Sequence, residues 1–273
     1  MPAFEILCVT MAQTDFSKIR EMNIHSDIVF ANQADRTAFA ECTFAGNRAR
    51  MITTDTRGVG INRNLALMYA EGDICLFADD DVTYHDDMQA RVLAEFAEHP
   101  DADIIVFHLD TDSDRKQSKY SQTKKRGRIS RQPWGAVRIA FRLEKVRKAN
   151  LWFTTLFGGG CMFPAGEDSM WLAEARRRGL TLYVSGETIG RVSFEKSTWF
   201  TGYDEKYYFG QGAYYQAVRP KTFAVWMLYS VARTCKQKEL PVTEKLKWIR
   251  NGAEGYRKMI PYERWKESVT GRS

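Results

Sequence analysis

The sequence is poor in the features that mark membrane-spanning, disulfide-bonded and dinucleotide-binding chains. No stretch reaches the ~18 apolar residues that a spanning helix needs. The N-terminal MPAFEILCVTM has neither a basic n-region nor a long apolar h-region, so no signal peptide is read. Cysteine is scarce: five residues, unclustered and without metal-type spacing. An odd, scattered set argues against a disulfide scaffold and for a reducing compartment. Cys8 and Cys75 fall inside apolar, strand-like runs and are expected as buried thiols. No G-x-G-x-x-G follows the first strand, which disfavours a nicotinamide or flavin site needing close backbone approach to a pyrophosphate. Gly58-Val59-Gly60 starts such a pattern, but no third glycine stands where it is required. These absences predict a cytoplasmic protein, soluble or peripheral on the inner face of the plasma membrane.

What remains is an ordinary globular composition. The 273 residues are 44% hydrophobic, enough for a real core. That length fits one large α/β domain, or such a domain with a helical extension. The formal net charge is +6, with a pI near 9.0. A basic balance suits a phosphate-rich ligand, an anionic membrane surface or nucleic acid, and does not choose among them.

Strand-like runs alternate with helical ones. Phe4–Thr10, Asp27–Phe30, Arg48–Thr54 and Ile74–Phe77 are apolar and short, and each ends in polar residues. This alternation predicts a parallel sheet with one ligand-bearing edge. Gly58 opens a helix carrying Ile61, Leu65, Leu67, Met68 and Tyr69, and Gly72 is expected to close it in the left-handed conformation. The strand that follows ends in Asp79, Asp80 and Asp81. Three adjacent carboxylates repel one another, and a divalent cation or a hydroxyl-rich ligand relieves that cost. Hard oxygen donors at a strand end suit Mg²⁺ or Mn²⁺. The alternative is a solvated acidic turn capping the next helix, which is expected over Val82–His99.

Further along, Asp103–Leu109 is another strand. Residues 110–132 are polar and basic, with Tyr120 as the only ring. They are open to three assignments: a mobile loop over an anionic ligand, a nucleic-acid patch, or a solvated disordered loop. The poor aromatic interleaving does not support base stacking. Val137–Phe141 and Leu143–Ala149 suggest a strand and a short helix, and apolar Leu151–Phe157 runs into Gly158-Gly159-Gly160. Gly166-Glu167-Asp168 then precedes a helix over Met170–Arg178. Either acid could be no more than an N-cap. The run from Ser197 to Ala213 is unusually aromatic; Trp199 and its neighbours suit a sugar-stacking lip, or a core seam to the C-terminal helices. Helices over Thr222–Thr234 and Val242–Arg257 carry tryptophan among lysine and arginine. They either pack on the domain or lie on an anionic membrane.

Taken together, G-x-x-x-x-R-N-x-A from Gly58, then A-x-G-D-I, an apolar strand, D-D-D and a later G-E-D resemble the family 2 glycosyltransferases, of the bacterial surface-polysaccharide type. The resemblance covers about residues 4–213. It implies a GT-A-like, Rossmann-like α/β fold with a mostly parallel central sheet flanked by helices, over residues 1–218 (donor half to about 110, acceptor half from about 133), and a helical extension over 219–273. It also implies an inverting, metal-dependent, hexosyltransferase-type enzyme using a nucleotide-sugar donor, UDP-linked, and a glycan or lipid-linked acceptor, with no nucleic-acid partner. Carried onto this chain, Thr10, Asn32 and Gln33 would face the base, although Asn-Gln-Ala-Asp replaces the family's commoner Asp-Asp-Gly-Ser-like turn. Asp79 and Asp80 would face the donor, Asp79 on its ribose side, with Asp81, assisted by Asp79, holding Mg²⁺ or Mn²⁺. Arg57 and Arg63 would meet the diphosphate, or else pair with Asp55 or Asp73. Asp168 would be the catalytic base, and Gly159, Glu167 and Trp199 would border the acceptor. Two other classes compete. A sugar nucleotidyltransferase would want a Gly-rich basic loop after the first strand, which Thr10–Phe16 lacks. A basic nucleic-acid-binding protein sits poorly with an acidic strand end.

Overall fold

The computed structural model describes residues 2–111, 122–126, 134–192 and 202–270. In chain order the elements are β1 (Phe4–Met11), α1 (Lys18–Glu21), β2 (Asp27–Gln33), β3 (Ala38–Phe44), β4 (Asn47–Thr54), α2 (Val59–Tyr69), β5 (Ile74–Asp79), β6 (Val82–Tyr84), α3 (Met88–Glu98) and β7 (Ile104–Thr111). There follow β8 (Lys124–Lys125), β9 (Ile139–Arg142), α4 (Leu143–Lys148), α5 (Glu167–Arg177), β10 (Leu182–Val192), α6 (Glu205–Val218), α7 (Phe223–Arg233), α8 (Val242–Lys258) and α9 (Tyr262–Thr270). The chain divides into two compact units, residues 1–154 with 168–197, and residues 155–167 with 198–273.

The first unit holds the sheet, ordered β3-β4-β2-β1-β5-β9-β7-β10-β6, with β8 on β10. Strands β4, β2, β1 and β5 run parallel, and β7 and β10 pair parallel as well. The side-chain period of two sorts the core onto two faces. Leu7, Val9, Val29 and Phe77 pack on one face with Trp171 of α5, while Ile6, Cys8, Ile28 and Phe30 pack on the other with Val92 and Phe96 of α3. Burial on both faces is why these strands read as continuous apolar runs. Parallel register brings Thr10 beside Asn32, Asn32 beside Thr53, and Val9 beside Asp79, so the polar strand ends share one edge. Cys8 and Cys75 are buried free thiols.

Several expectations change. The run expected as one helix over Val82–His99 begins as a strand: Val82–Tyr84 pairs antiparallel with Gly190–Val192, and the helix starts at Met88. Strand β3 was not anticipated; it hairpins onto β4 with most of its residues exposed. Residues 182–192 form one irregular strand, not two. Gly72 does not close α2 with a left-handed turn, since the helix ends at Tyr69 with an extended Ala70. Its smallness serves a close approach instead: a Cβ on Gly72 would stand 2.8 Å from that of Glu5. Glu5 is buried there, accepting from the N–H groups of Glu71 (2.6 Å) and Gly72 (3.1 Å) and pairing with Arg50 at 2.5 Å.

The second unit is helical. The aromatic run expected as a loop or a core seam lies partly outside the described residues. From Glu205 it is helix α6, capped by the Asp204 carboxylate on Tyr207 N–H at 2.8 Å. Tyr208, Phe209 and Ala213 are buried, so from Glu205 this run packs into its own helical unit. Helices α6 and α8 cross at a glycine pair: a Cβ on Gly212 would stand 1.9 Å from Ile249 O, and one on Gly252 would stand 1.9 Å from Phe209 O. Helix α8 turns Trp248, Ile249 and Ala253 inward. Lys245, one of the basic residues of α8, is buried; its Nζ donates to Thr234 O (2.8 Å) and Gln237 O (2.7 Å) after the end of α7.

The buried Glu5 carboxylate sets the turn that launches β5, so removing it strands Arg50. Glu5→Ala is expected to lower unfolding free energy by about 3 kcal/mol. Glu71→Ala, on the exposed arm of the same network, is expected to cost under about 1 kcal/mol. Urea denaturation of the two variants checks the ranking.

Candidate active site

The site is built at the carboxyl ends of β1, β2 and β5 with help from α2 and α5. The R-N pair of α2 divides its labour. Asn64 makes a reciprocal amide–backbone pair with Phe153, accepting from its N–H at 2.8 Å and donating to its carbonyl at 3.0 Å. Arg63, only 3% exposed, extends past it with its guanidinium over the Phe153 ring at 5.4 Å. One arm of the fork meets Asp168 at 2.7 Å and the other meets Asp79 at 3.1 Å. The two acidic clusters, far apart in sequence, therefore stand on one cation.

Helix α5 aims Asp168 by its own periodicity. Trp171, one turn on, lies at the same face, stacks on Phe153 at 5.4 Å and meets Phe77 edge-on at 5.5 Å. With that side buried, Asp168 faces Arg63 and also accepts the Ala136 N–H at 2.9 Å. The Arg63 contact orients Oδ1 and the Ala136 contact Oδ2.

The three strand-end aspartates have three different environments. Asp79 pairs with Arg63. Asp80 accepts a short hydrogen bond from Thr10 Oγ1, and its backbone carbonyl lies 3.4 Å from Lys18 Nζ. Asp81 forms no ion pair among the described residues. Its carboxyl is pushed up to about 6 by partial desolvation and by the charges of Asp79 and Asp80, although its side chain still reaches solvent. No group of three or more acidic, histidine or cysteine side chains could by itself hold a metal among the described residues. A cation here would take one carboxylate, Asp81, and fill its other positions from phosphate oxygens and water, the arrangement Mg²⁺ prefers.

The other expected residues take up definite positions. Asn32 is fully buried and its amide is spent inside the fold, accepting from Gln13 N–H (3.0 Å) and donating to Gln13 O (2.9 Å) and Thr53 Oγ1 (3.1 Å). It holds the loop after β1. Gln33 Oε1 accepts the Gly58 N–H at 3.0 Å, fixing the entry to α2. Arg57 is exposed; it pairs with the Asp35 carboxylate and donates to the Asp55 backbone carbonyl at 3.0 Å, and among the described residues neither it nor Arg63 forms an ion pair with the Asp55 or Asp73 carboxylate. Glu167 is the first residue of α5 and is buried. Gly159 sits in a turn closed by Gly158 N–H on Phe163 O at 3.0 Å. Trp199 lies outside the described residues, as do Arg115, Lys116, Lys119, Arg128 and Arg131 of the basic run. Sequence inspection did not find the Arg63 bridge or the Ala136 N–H. The first had a signal in the arginine of the R-N pair; the second, a backbone group, had none.

The glycosyl transferase family 2 model matches residues 29–165. The chain belongs to this family. No curated protein matches its sequence. Among solved structures, S. aureus TarS 1–349 in complex with UDP-GlcNAc superposes with a TM-score of 0.61 at 13% identity, covering 95% of this chain and 93% of that one. The same protein with UDP gives 0.59 at 14% identity over the same shares. The mannosyltransferase PcManGT from Pyrobaculum calidifontis, in complex with GDP-Man and Mn²⁺, gives 0.51 at 12% identity over 99% of this chain and 79% of that one. These likenesses carry the GT-A fold. As a family 2 glycosyltransferase, the chain keeps its acids on the carboxyl edge of the sheet, where open α/β folds bind ligands.

Unpairing the shared cation should be costly. Arg63→Met is expected to destabilise the fold by about 2–3 kcal/mol, the scale of lost charge-assisted hydrogen bonds. Arg63→Met combined with Asp168→Asn is expected to be less damaging than the sum of the two changes. Chemical denaturation of the three variants closes that cycle.

Proposed function

We propose that this family 2 glycosyltransferase moves a sugar, with inversion, from a UDP-linked donor to a hydroxyl of a glycan or lipid-linked acceptor in bacterial surface-polysaccharide synthesis. The observation that carries it is the Arg63 bridge, which sets the donor-edge Asp79 and the helix-borne Asp168 on one guanidinium. Support for the donor class comes from the complexes named above: TarS with UDP-GlcNAc and with UDP, and PcManGT with GDP-Man.

The chemistry assigns the parts. Asp168 is the base. As an acceptor oxygen bonds to the anomeric carbon, its proton passes to Asp168, while the bond to the diphosphate breaks and its electron pair leaves with that group. Base assistance of this kind is worth about 10²–10⁴-fold. Arg63 and the Ala136 N–H keep the carboxylate from rotating away. Thr10 holds Asp80 and Arg63 holds Asp79, which leaves Asp81 to take Mg²⁺ or Mn²⁺. Such a cation would supply positive charge to the departing nucleoside diphosphate. Asn32 and Gln33 shape the base-side wall through Gln13 and Gly58.

The test is a thermal-shift panel of UDP- and GDP-sugars with and without Mn²⁺, followed by product analysis. Binding to the folded state raises the melting temperature by mass action. A UDP-sugar with Mn²⁺ is expected to give the largest shift and to release UDP when an acceptor is present. Absence of any nucleotide-dependent shift overturns the proposal. Asp168→Asn is expected to lose at least about 10²-fold in transfer while keeping the donor-induced shift; turnover near wild type would remove Asp168 from the role of base.

A pH dependence follows from Asp81. A carboxyl raised to about 6 in the folded state binds a proton that the unfolded chain has already released. Without metal, its contribution to stability therefore falls as pH rises from the ordinary carboxylate range through about 6. Mn²⁺ competes with that proton, so Mn²⁺ stabilisation is expected to grow over the same range. Asp81→Asn is expected to abolish both trends in a melting-temperature series.

A further inference from the structure

Helix α7 presents an apolar face that its own unit does not cover. Val225, Leu228 and Tyr229 are 64%, 60% and 51% exposed. They stand at i, i+3 and i+4, so they form one stripe, and exposed Ala232 extends it by a turn. The opposite side of the helix is packed, with Met227, Ser230 and Val231 buried. Trp226 anchors the helix by stacking on Tyr215 at 5.8 Å.

The charge that flanks this stripe in the chain is mainly positive. Residues 219–239 contain Arg219, Lys221, Arg233, Lys236 and Lys238 against one acid, Glu239. All five are exposed and flank the helix at its two ends. Arg219 lies over the Trp226 ring at 5.8 Å, and Arg233 donates to Tyr207 OH at 3.1 Å.

We propose that α7 is an interfacial anchor that lies on an anionic bilayer surface, with Val225, Leu228 and Tyr229 in the headgroup region and the five cations on lipid phosphates. An apolar stripe between cations fits that environment. At 11 residues the helix is about 16 Å long, too short to span and long enough to lie flat. A second copy of the chain fits less well. A two-fold contact through this face would bring like charges together, and three large side chains are far fewer than the roughly 20–30 residues a side of a stable interface. The inference stands on α7 alone and not on the assignment of the donor or the base.

The experiment is co-sedimentation of the full chain with phosphatidylcholine vesicles, with and without phosphatidylglycerol, at low and high salt. Binding is expected only with the anionic lipid and is expected to weaken in salt. The variant Val225→Ser/Leu228→Ser/Tyr229→Ser alters exposed positions and is expected to keep its circular dichroism spectrum while losing at least about tenfold in binding. Lys221→Gln/Lys236→Gln/Lys238→Gln is expected to lose about a hundredfold. Three outcomes overturn the proposal: no vesicle binding by the wild type, vesicle binding unchanged in the serine variant, or a wild-type dimer in solution that the serine variant dissolves in the absence of vesicle binding.

Discussion

One buried guanidinium organises the first unit. Arg63 reaches from α2 between a strand-end carboxylate and a carboxylate on α5, and each of its arms is spent on a side chain from a different element. A cation this deep is tolerable only because it is paired on both sides. The same requirement explains the residues around it. Asn64 locks the backbone that carries Phe153, Phe153 forms the floor under the guanidinium, and Trp171 stacks beneath Phe153 on the helix that delivers Asp168. Placement of the acids is thus a property of aromatic packing as much as of charge.

A second buried pair works one layer away. Glu5 and Arg50 hold the turn between α2 and β5, and Glu5 spends its second oxygen on two backbone N–H groups. Such turns leave helix-end and strand-start groups unsatisfied. A buried carboxylate satisfies them at the cost of needing Arg50. The small side of that turn, Gly72, is therefore set by Glu5 and not by the handedness of the chain.

Legibility followed burial. Runs such as Ile74–Phe77 are buried on both faces, so their apolar continuity announces a central parallel strand. Strand β3 has no such signature, because Ala38–Phe44 is an edge whose residues mostly face solvent. Strand β6 is three residues long and was absorbed into the helical pattern that follows it. The aspartate run was legible as a cluster, but the separate environments of its three members were not: they depend on Thr10 and Arg63, which are 70 and 16 residues distant from Asp80 and Asp79. The amide of Asn32 has the chemistry to read a base edge, and only the fold reveals that Gln13 and Thr53 have consumed it. In the second unit, α7 and α8 both carry aromatics among cations. Composition cannot distinguish the helix that buries Trp248 from the one that exposes Leu228.

The charge balance at the sheet edge constrains what can bind there. Four carboxylates, Asp79, Asp80, Asp81 and Asp168, stand at this edge; Arg63 is shared between Asp79 and Asp168, and Lys18 lies near the Asp80 backbone carbonyl. A nucleoside diphosphate adds further negative charge. Arg63 cannot answer it cheaply, since turning to the ligand would abandon two carboxylates, at about 1.5–3 kcal/mol for each charge-assisted hydrogen bond. Lys18 is already paired with Glu21 at 2.9 Å. Under the proposed function, a donor that arrives with its own divalent cation would relieve the repulsion at Asp81 and leave the Arg63 bridge to Asp79 and Asp168 intact.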